Sequence, residues 1–472
     1  MKRIVFLLVF INSCLLVFSQ TGLKMVCQYG FTFEISMQKN WGYAQPVVLT
    51  ITPNTSAETA GLQVDDIIEK INGKPTAGEN IETIIGWLQN ANNNIQLIVS
   101  NLRESHQPRT LTKYCHLNNL LTEKDIADTY SFYSLEDAQT RAFGCPFQTT
   151  VNPESNLLQY ASFGFAAPDK DHAALEKNIN TVIRKSLEQK GLKYSEKNPD
   201  LIVRTHSSSQ VNPNFRNSAN ADKFPVACRY NVHTKSMENL PIYYNPLIQT
   251  DQAKFFLKFG IQLIDNKKKN NSVVWECEAN ELLKTNYALS DYAVFHIPLM
   301  FMQYPYPQSL ETAQFYYSRS KYNYTGINYN MDNLKEIADV DSSSPAAEAG
   351  IQASDVIEKI NGIKFVNNPK TAGNNYKQFI LKTFPLRDPK TQFTNAEGFT
   401  RCMYWDPVKY ALISDEFKKP EFSTVFSYLF YFRQYVNLSG TNIVTFTITR
   451  GKQKEEVRIT PKIVSEEVFE SQ

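Results

Sequence analysis

The 472-residue sequence has no Cys-x-x-Cys pair, and its six histidines, at 106, 116, 172, 206, 233 and 296, never flank a glutamate at a spacing of four. This removes the common zinc-ligand patterns and the helical His-Glu-x-x-His site of metalloproteases. It also lacks a Gly-x-Ser-x-Gly turn, an Asp-Thr-Gly or Asp-Ser-Gly triplet, and a glycine-rich loop placed to cradle phosphate. The best-known serine and aspartic hydrolase sites therefore have no carrier. Charge of one sign is scarce as well. Lys and Arg number 49 against 47 Asp and Glu, a net charge of +2, so the clustered basic field of a nucleic-acid surface is missing. After residue 18 no convincing membrane span occurs; residues 422–436 are apolar and aromatic but broken by Ser, Gln and Arg433.

What is present starts at the N-terminus. Lys2 and Arg3 precede an apolar run over residues 4–18, followed by Ser19. The pattern predicts a secretory signal peptide over 1–19, cleaved near Ser19 or Gln20. An uncleaved anchor helix and acylation at Cys14 are the alternatives. Without Cys14 six cysteines remain: Cys27, Cys115, Cys145, Cys228, Cys277 and Cys402. An exported chain permits disulfides, but the wide spacing fixes no connectivity and suits buried free thiols equally well. Apolar residues make up 42% of the chain, enough for several cores, and the length exceeds what one core supports.

An internal repeat organises the chain. Residues 57–73 read AETAGLQVDDIIEKING and residues 346–362 read AAEAGIQASDVIEKING. Ala57, Ala60, Gly61, Gln63, Asp66, Ile68, Glu69, Lys70, Ile71, Asn72 and Gly73 recur identically. Each copy predicts a short helical turn closed by glycine, a strand, and an Asn-Gly hairpin turn. In the first copy a helix over 80–90 follows, with Ile81, Ile84, Ile85 and Leu88 at helical spacing, then a strand over 95–99. The second copy closes with a hairpin over 443–460.

This order and the tract itself resemble a PDZ domain, twice. Pro345 fits the family tract in the second copy; Thr55-Ser56 stands there in the first. The family's carboxylate-binding loop is an apolar-Gly-apolar tract, matched by Tyr29-Gly30-Phe31 and less well by Thr325-Gly326-Ile327. The resemblance implies peptide binding by strand addition, with a peptide lying beside Phe31-Thr32-Phe33 and its carboxylate received at Tyr29, Gly30 and Phe31. Glycine lets the backbone approach the anion without a Cβ in the way. Ile81, Ile85 and Leu88 then line the opposite wall; the alternative is that Ile81 and Leu88 are ordinary core residues. A long insertion between about 363 and 421, followed by a helix candidate at 422–436, either covers the second groove or enlarges it.

Between the repeats, residues 157–165 read as a strand, 171–191 as a helix, 200–205 as a buried strand, 254–265 and 272–278 as a hairpin, and 287–301 as a final helical or mixed segment. The tracts Phe163-Gly164-Phe165, Lys190-Gly191-Leu192-Lys193-Tyr194, residues 198–203, Ile264-Asp265 and Val274-Trp275 resemble an uncharacterised domain family of bacterial envelope lipoproteins. The resemblance implies an envelope location and no known chemistry.

The expected fold class is α+β and multidomain: two PDZ-like partly open β-barrels with helices, at 25–116 and 315–464, around a central α+β domain of antiparallel or mixed sheet at 118–314. The expected role is an exported, non-catalytic adaptor of the bacterial periplasm or envelope. Its partner is an extended peptide or C-terminus of another envelope protein; no cofactor, metal or nucleic acid is expected, and no transmembrane span in the mature chain. The alternative is a divergent envelope protease or hydrolase that uses PDZ modules to recruit substrate. Cys228 near His233 and Cys115 beside His116 are its thiol candidates. Asp65-Asp66 is a metal candidate, but Ser354 replaces Asp65 in the second copy, which favours a structural role.

Overall fold

The computed structural model describes residues 25–117 except 54, and 120–124, 142–167, 173–216, 226–244, 248–267, 271–365 and 443–471, with short pieces between 381 and 415. The expected signal peptide over 1–19, most of the insertion and the candidate helix at 422–436 lie outside the described residues. The protein is α+β and multidomain, mostly strand, with one curled sheet and several open ones.

The curled sheet is the first module. Its strands run in the order Phe31–Ile35, Pro46–Ile51, Ile67–Ile71, Asn94–Ser100 and Gln107–Thr112, all antiparallel. Asn72 and Gly73 take φ of 49° and 81°, as a two-residue hairpin turn demands, and the Asn72 carboxamide accepts from Gln96 N at 2.8 Å. Helix Ile81–Gln89 starts where Asn80 Oδ1 accepts from Thr83 N at 2.8 Å, a side-chain cap that satisfies one orphan donor. Of its apolar residues only Ile84 is fully buried.

The repeat folds alike. Strands Ile327–Asn330, Asn333–Val340, Val356–Ile360, Val444–Arg450 and Gln453–Ile459 lie in the same succession. Asn361 and Gly362 have φ of 50° and 78°, and Asn361 Oδ1 accepts from Thr445 N at 2.8 Å. Asp66 Oδ2 accepts from Gln63 N, and Asp355 Oδ2 from Gln352 N, both at 2.9 Å. The repeated aspartate thus closes the turn ahead of its strand, which is the structural role the repeat suggested.

The central unit is a mixed sheet. Its order is Lys193–Tyr194, Ser162–Phe165, Leu201–Val211, Phe255–Asp265, Val273–Leu283, Ser236–Tyr243 and Val226–Asn231, and Phe147–Val151 also pairs with Val273–Leu283. The first three strands run parallel and the long hairpin is antiparallel. Helices Ala173–Lys190 and Leu289–Met300 pack on it through Ile179, Ile183, Leu187, Ile297 and Leu299. Residues 157–165 are not one strand. The Asn156 side chain accepts from Leu158 N at 3.0 Å and fixes a 3-10 turn over Leu157–Gln159, so extended pairing begins only at Ser162.

Two features join the units. The loop after the first strand of module one sends Trp41, 1% exposed, into the central core, and its indole donates to Asp65 O at 2.9 Å. Lys190 pairs with Asp65 at 2.9 Å, and Tyr306 donates to Glu34 at 2.6 Å across the same contact. Farther on, strand Ala313–Tyr324 leaves the central unit paired with the C-terminal strand Lys462–Ser471, which returns to it. Phe469 lies 4.6 Å from Tyr230 between ring centres, and Gln303 donates to Ser471 Oγ at 2.8 Å. The passage to the second module is therefore a two-stranded ribbon, and the chain's end belongs to the central core. Removing the Trp41 anchor leaves a cavity at the first contact, so Trp41→Ala should cost about 3–5 kcal/mol of stability in denaturant unfolding. A loss below about 1 kcal/mol would show that module one does not depend on this docking.

Candidate peptide-binding grooves

Each groove begins with a turn that only glycine fits. Gly30 has φ +91° and Gly326 φ +86°. A Cβ on Gly30 would sit 2.1 Å from Thr55 Oγ1, and one on Gly326 would sit 2.2 Å from Ser344 Cβ. The surrounding backbone bonds recur: Thr52 N donates to Gly30 O and Asp341 N to Gly326 O, while Ala57 N donates to Tyr29 O and Ala346 N to Thr325 O. The two turns are the same structure built twice.

In the first module, strand Phe31–Ile35 forms the sheet edge, and no strand among the described residues pairs with its outer side. Nor does an acceptor among the described residues meet the N–H of Tyr29 or Gly30. Phe31, Ile81, Ile85 and Leu88 are half-buried and pack against the module core, and Phe33 is buried beneath them. Tyr29 is buried, its hydroxyl donating to Leu88 O at 3.3 Å, so it ties the loop to the helix. Thr32 turns away and shares a 2.7 Å hydrogen bond with Thr50, leaving only its main chain at the edge. The candidate residues thus converge on one cleft between an edge strand and an apolar helix face.

The second loop is filled. Thr325 is buried and Ile327 fully so. Glu123 Oε2 accepts from Thr325 N at 2.7 Å and Gly326 N at 3.0 Å, and Oε1 accepts from the Thr325 hydroxyl. Leu120–Leu121 pairs antiparallel with Ile327–Asn330, Tyr329 facing Leu121. Thr325, the poorer match to the loop pattern, supplies an extra donor here. Leu120, Leu121 and Glu123 escape the sequence reading; their one signal is an apolar pair between Asn118-Asn119 and Thr122-Glu123-Lys124.

Other chemical groups are already engaged. Cys115 is disulfide-bonded, and Cys27 faces it across the pair Met25–Gln28 and Tyr114–Leu117. Burial pushes the Cys228 thiol up to about 11, opposite to the shift of an activated nucleophile. In the central core Arg229 donates to Glu281 at 2.6 Å and to His296 Nε2 at 2.8 Å. Burial and the neighbouring guanidinium hold His296 well below its usual range, so it stays neutral and accepts from Arg229. His206, Glu276 and Glu278 come close enough to hold a cation, but Glu278 already takes Lys258 at 2.7 Å and His206 at 3.0 Å.

Residues 47–99 match the PDZ domain model, and residues 147–306 match a domain of unknown function, DUF4136. The crystal structure of a PDZ domain protein from Parabacteroides distasonis is 41% identical, spans 95% of this chain and 100% of its own, and has a TM-score of 0.73. The chain belongs to this family of bacterial PDZ domain proteins. The Dlg1 PDZ2 domain of the choanoflagellate Monosiga brevicollis is similar over 17% of this chain and 92% of its own, at 21% identity and a TM-score of 0.13. The PelC dodecamer from Paraburkholderia phytofirmans covers 33% of this chain and 94% of its own, at 11% identity and a TM-score of 0.18. No curated protein matches. A PDZ domain suggests peptide binding; the matched segment supplies helix Ile81–Gln89 of the first groove, while the Tyr29-Gly30 turn and edge strand Phe31–Ile35 precede it in the chain.

Burial raises the Glu123 carboxyl from 4.5 to about 7, the three hydrogen bonds oppose the rise, and the Asp341 charge adds to it. A carboxyl raised in the fold favours the docked state fully below pH 4.5 and loses that contribution as pH rises through about 7. A carbon-detected NMR titration of the Glu123 side chain should give a midpoint near 7. A midpoint at or below 4.5 would show that the donors outweigh burial.

Proposed function

We propose that this PDZ domain protein is an exported peptide-binding adaptor of the bacterial envelope, with no catalysis of its own. Its first groove takes an extended, apolar C-terminus or internal strand of another envelope protein. The observation that carries the reading is the open edge Phe31–Ile35 beside the half-buried Ile81, Ile85 and Leu88. A peptide strand satisfies the edge's hydrogen bonds, the Tyr29-Gly30-Phe31 loop receives its carboxylate, and the helix face covers its apolar side chains. Ile81 at the helix start selects an apolar side chain over a hydroxyl.

The repeat, in this reading, is a second PDZ-type module at the other end of the chain. Export is supported by Lys2-Arg3 and the apolar run that follows them, and by the Cys115 disulfide, which suits an oxidising compartment. No helix among the described residues is long and apolar enough to cross a membrane. The central unit then acts as the mount: Trp41, the Asp65–Lys190 pair and the Tyr306–Glu34 hydrogen bond hold the first module, the last at the far end of the edge strand from the Tyr29-Gly30 turn.

Single-strand addition gives modest affinity, because ordering the peptide offsets much of the contact energy. A library of fluorescent peptides with free apolar C-termini should contain binders. Against them Gly30→Asp, which meets Thr55 and places a charge in the loop, should weaken binding at least about tenfold. Leu88→Asp, on the half-exposed helix face, should do the same while leaving the fold intact. Unchanged affinity in both variants would remove the first groove as the site.

A further inference from the structure

The second module already carries a strand at the equivalent edge, and the strand comes from the same chain. Leu120–Leu121 runs antiparallel to Ile327–Asn330, with Leu121 opposite Tyr329 and Leu120 opposite Asn330. That direction leads the segment toward the Thr325-Gly326 turn, where the Glu123 carboxylate accepts both main-chain N–H groups and the Thr325 hydroxyl. Leu121, 3% exposed, is part of the second module's core together with Ile327, Tyr329 and Ile337. Strand addition at a sheet edge and a carboxylate in a glycine turn are the two elements by which such a groove takes a peptide. Here both are present, with a side-chain carboxylate where a peptide would bring its terminal one, so the chain continues past the loop.

We propose that residues 120–124 are a ligand held in cis by the second module, whose site accepts an extended apolar strand capped by a carboxylate and takes one from another protein only in exchange for this segment. The two modules then differ in state: the first offers an empty edge, the second an occupied one. The inference stands whether or not the first groove binds peptide, since it rests on contacts in the second alone. A tethered segment competes at an effective concentration on the order of millimolar. An outside peptide therefore binds with an apparent affinity reduced by the fraction of molecules whose segment is displaced.

Site-resolved amide hydrogen exchange on the full-length mature protein tests this. In the natural protein Thr325 and Gly326 should be protected, and a synthetic peptide of residues 119–124 with a blocked C-terminus should change nothing at 325–330. Glu123→Lys and Leu121→Asp should each speed exchange at 325–330 by at least about tenfold, leave residues 31–35 unaffected, and regain protection when the peptide is added. Should Leu121→Asp unfold the module, seen as lost protection at 444–450, Glu123→Lys at its half-buried position carries the comparison. Unchanged exchange in Glu123→Lys would overturn the proposal. So would failure of the peptide to restore protection, or loss of the natural protein's protection on hundredfold dilution, which would assign the strand to a second copy.

Discussion

A strand at the edge of a sheet presents unpaired N–H and C=O groups, and a protein must cover, blunt or use them. The repeated fold of this chain puts such an edge next to a left-handed glycine turn, once at Gly30 and once at Gly326. In both places the turn packs so closely on a hydroxyl-bearing residue, Thr55 or Ser344, that no side chain fits. At Gly326 the turn fixes where the Glu123 carboxylate is received, and the edge fixes the direction of the strand that brings it. The chain resolves the two edges differently. The second is satisfied by residues 120–124, and the first pairs with no further strand among the described residues. That asymmetry, on duplicated backbones, is the basis of the functional reading.

The central unit gives these edges a fixed support. Its sheet and two helices enclose a core that also takes Trp41 from the first module and Phe469 from the C-terminal strand. Within it the buried Arg229–Glu281 pair is completed by neutral His296 and the Tyr292 hydroxyl, 3.2 Å from Glu281. Such a network is costly to break, because each group removed leaves a buried charge without its partner. Its geometry serves cohesion: histidine is held neutral as an acceptor, and the thiols nearby are pushed toward the protonated form.

Much of this was legible in the residues. Asn72-Gly73 and Asn361-Gly362 announce their turns, the spacing of Ile81, Ile84, Ile85 and Leu88 announces a helix, and the alternation over 254–265 announces a strand, because each signal is local. The hairpin and the 18-residue helix Ala173–Lys190 followed for the same reason. Long-range pairing was not legible. Nothing in Leu120-Leu121 points to Tyr329, some two hundred residues away, and nothing in Lys462–Ser471 points to Ala313–Tyr324. Trp41 reads as a loop residue until the central core is seen around it. Thr325 breaks the loop pattern by sequence, yet its hydroxyl completes the bonding to Glu123. Most of the insertion, expected either to cover the second groove or to enlarge it, lies outside the described residues.

The most direct measurement compares the two edges within one molecule: amide exchange at Phe31–Ile35 and at Ile327–Asn330 in the free protein, before and after adding a peptide selected for binding. The account predicts that the outward-facing N–H groups of the first edge, those not directed at Pro46–Ile51, exchange freely and become protected on addition, while the outward-facing groups of the second are protected throughout. A free protein in which both edges are equally protected, or a peptide that protects neither, would contradict it.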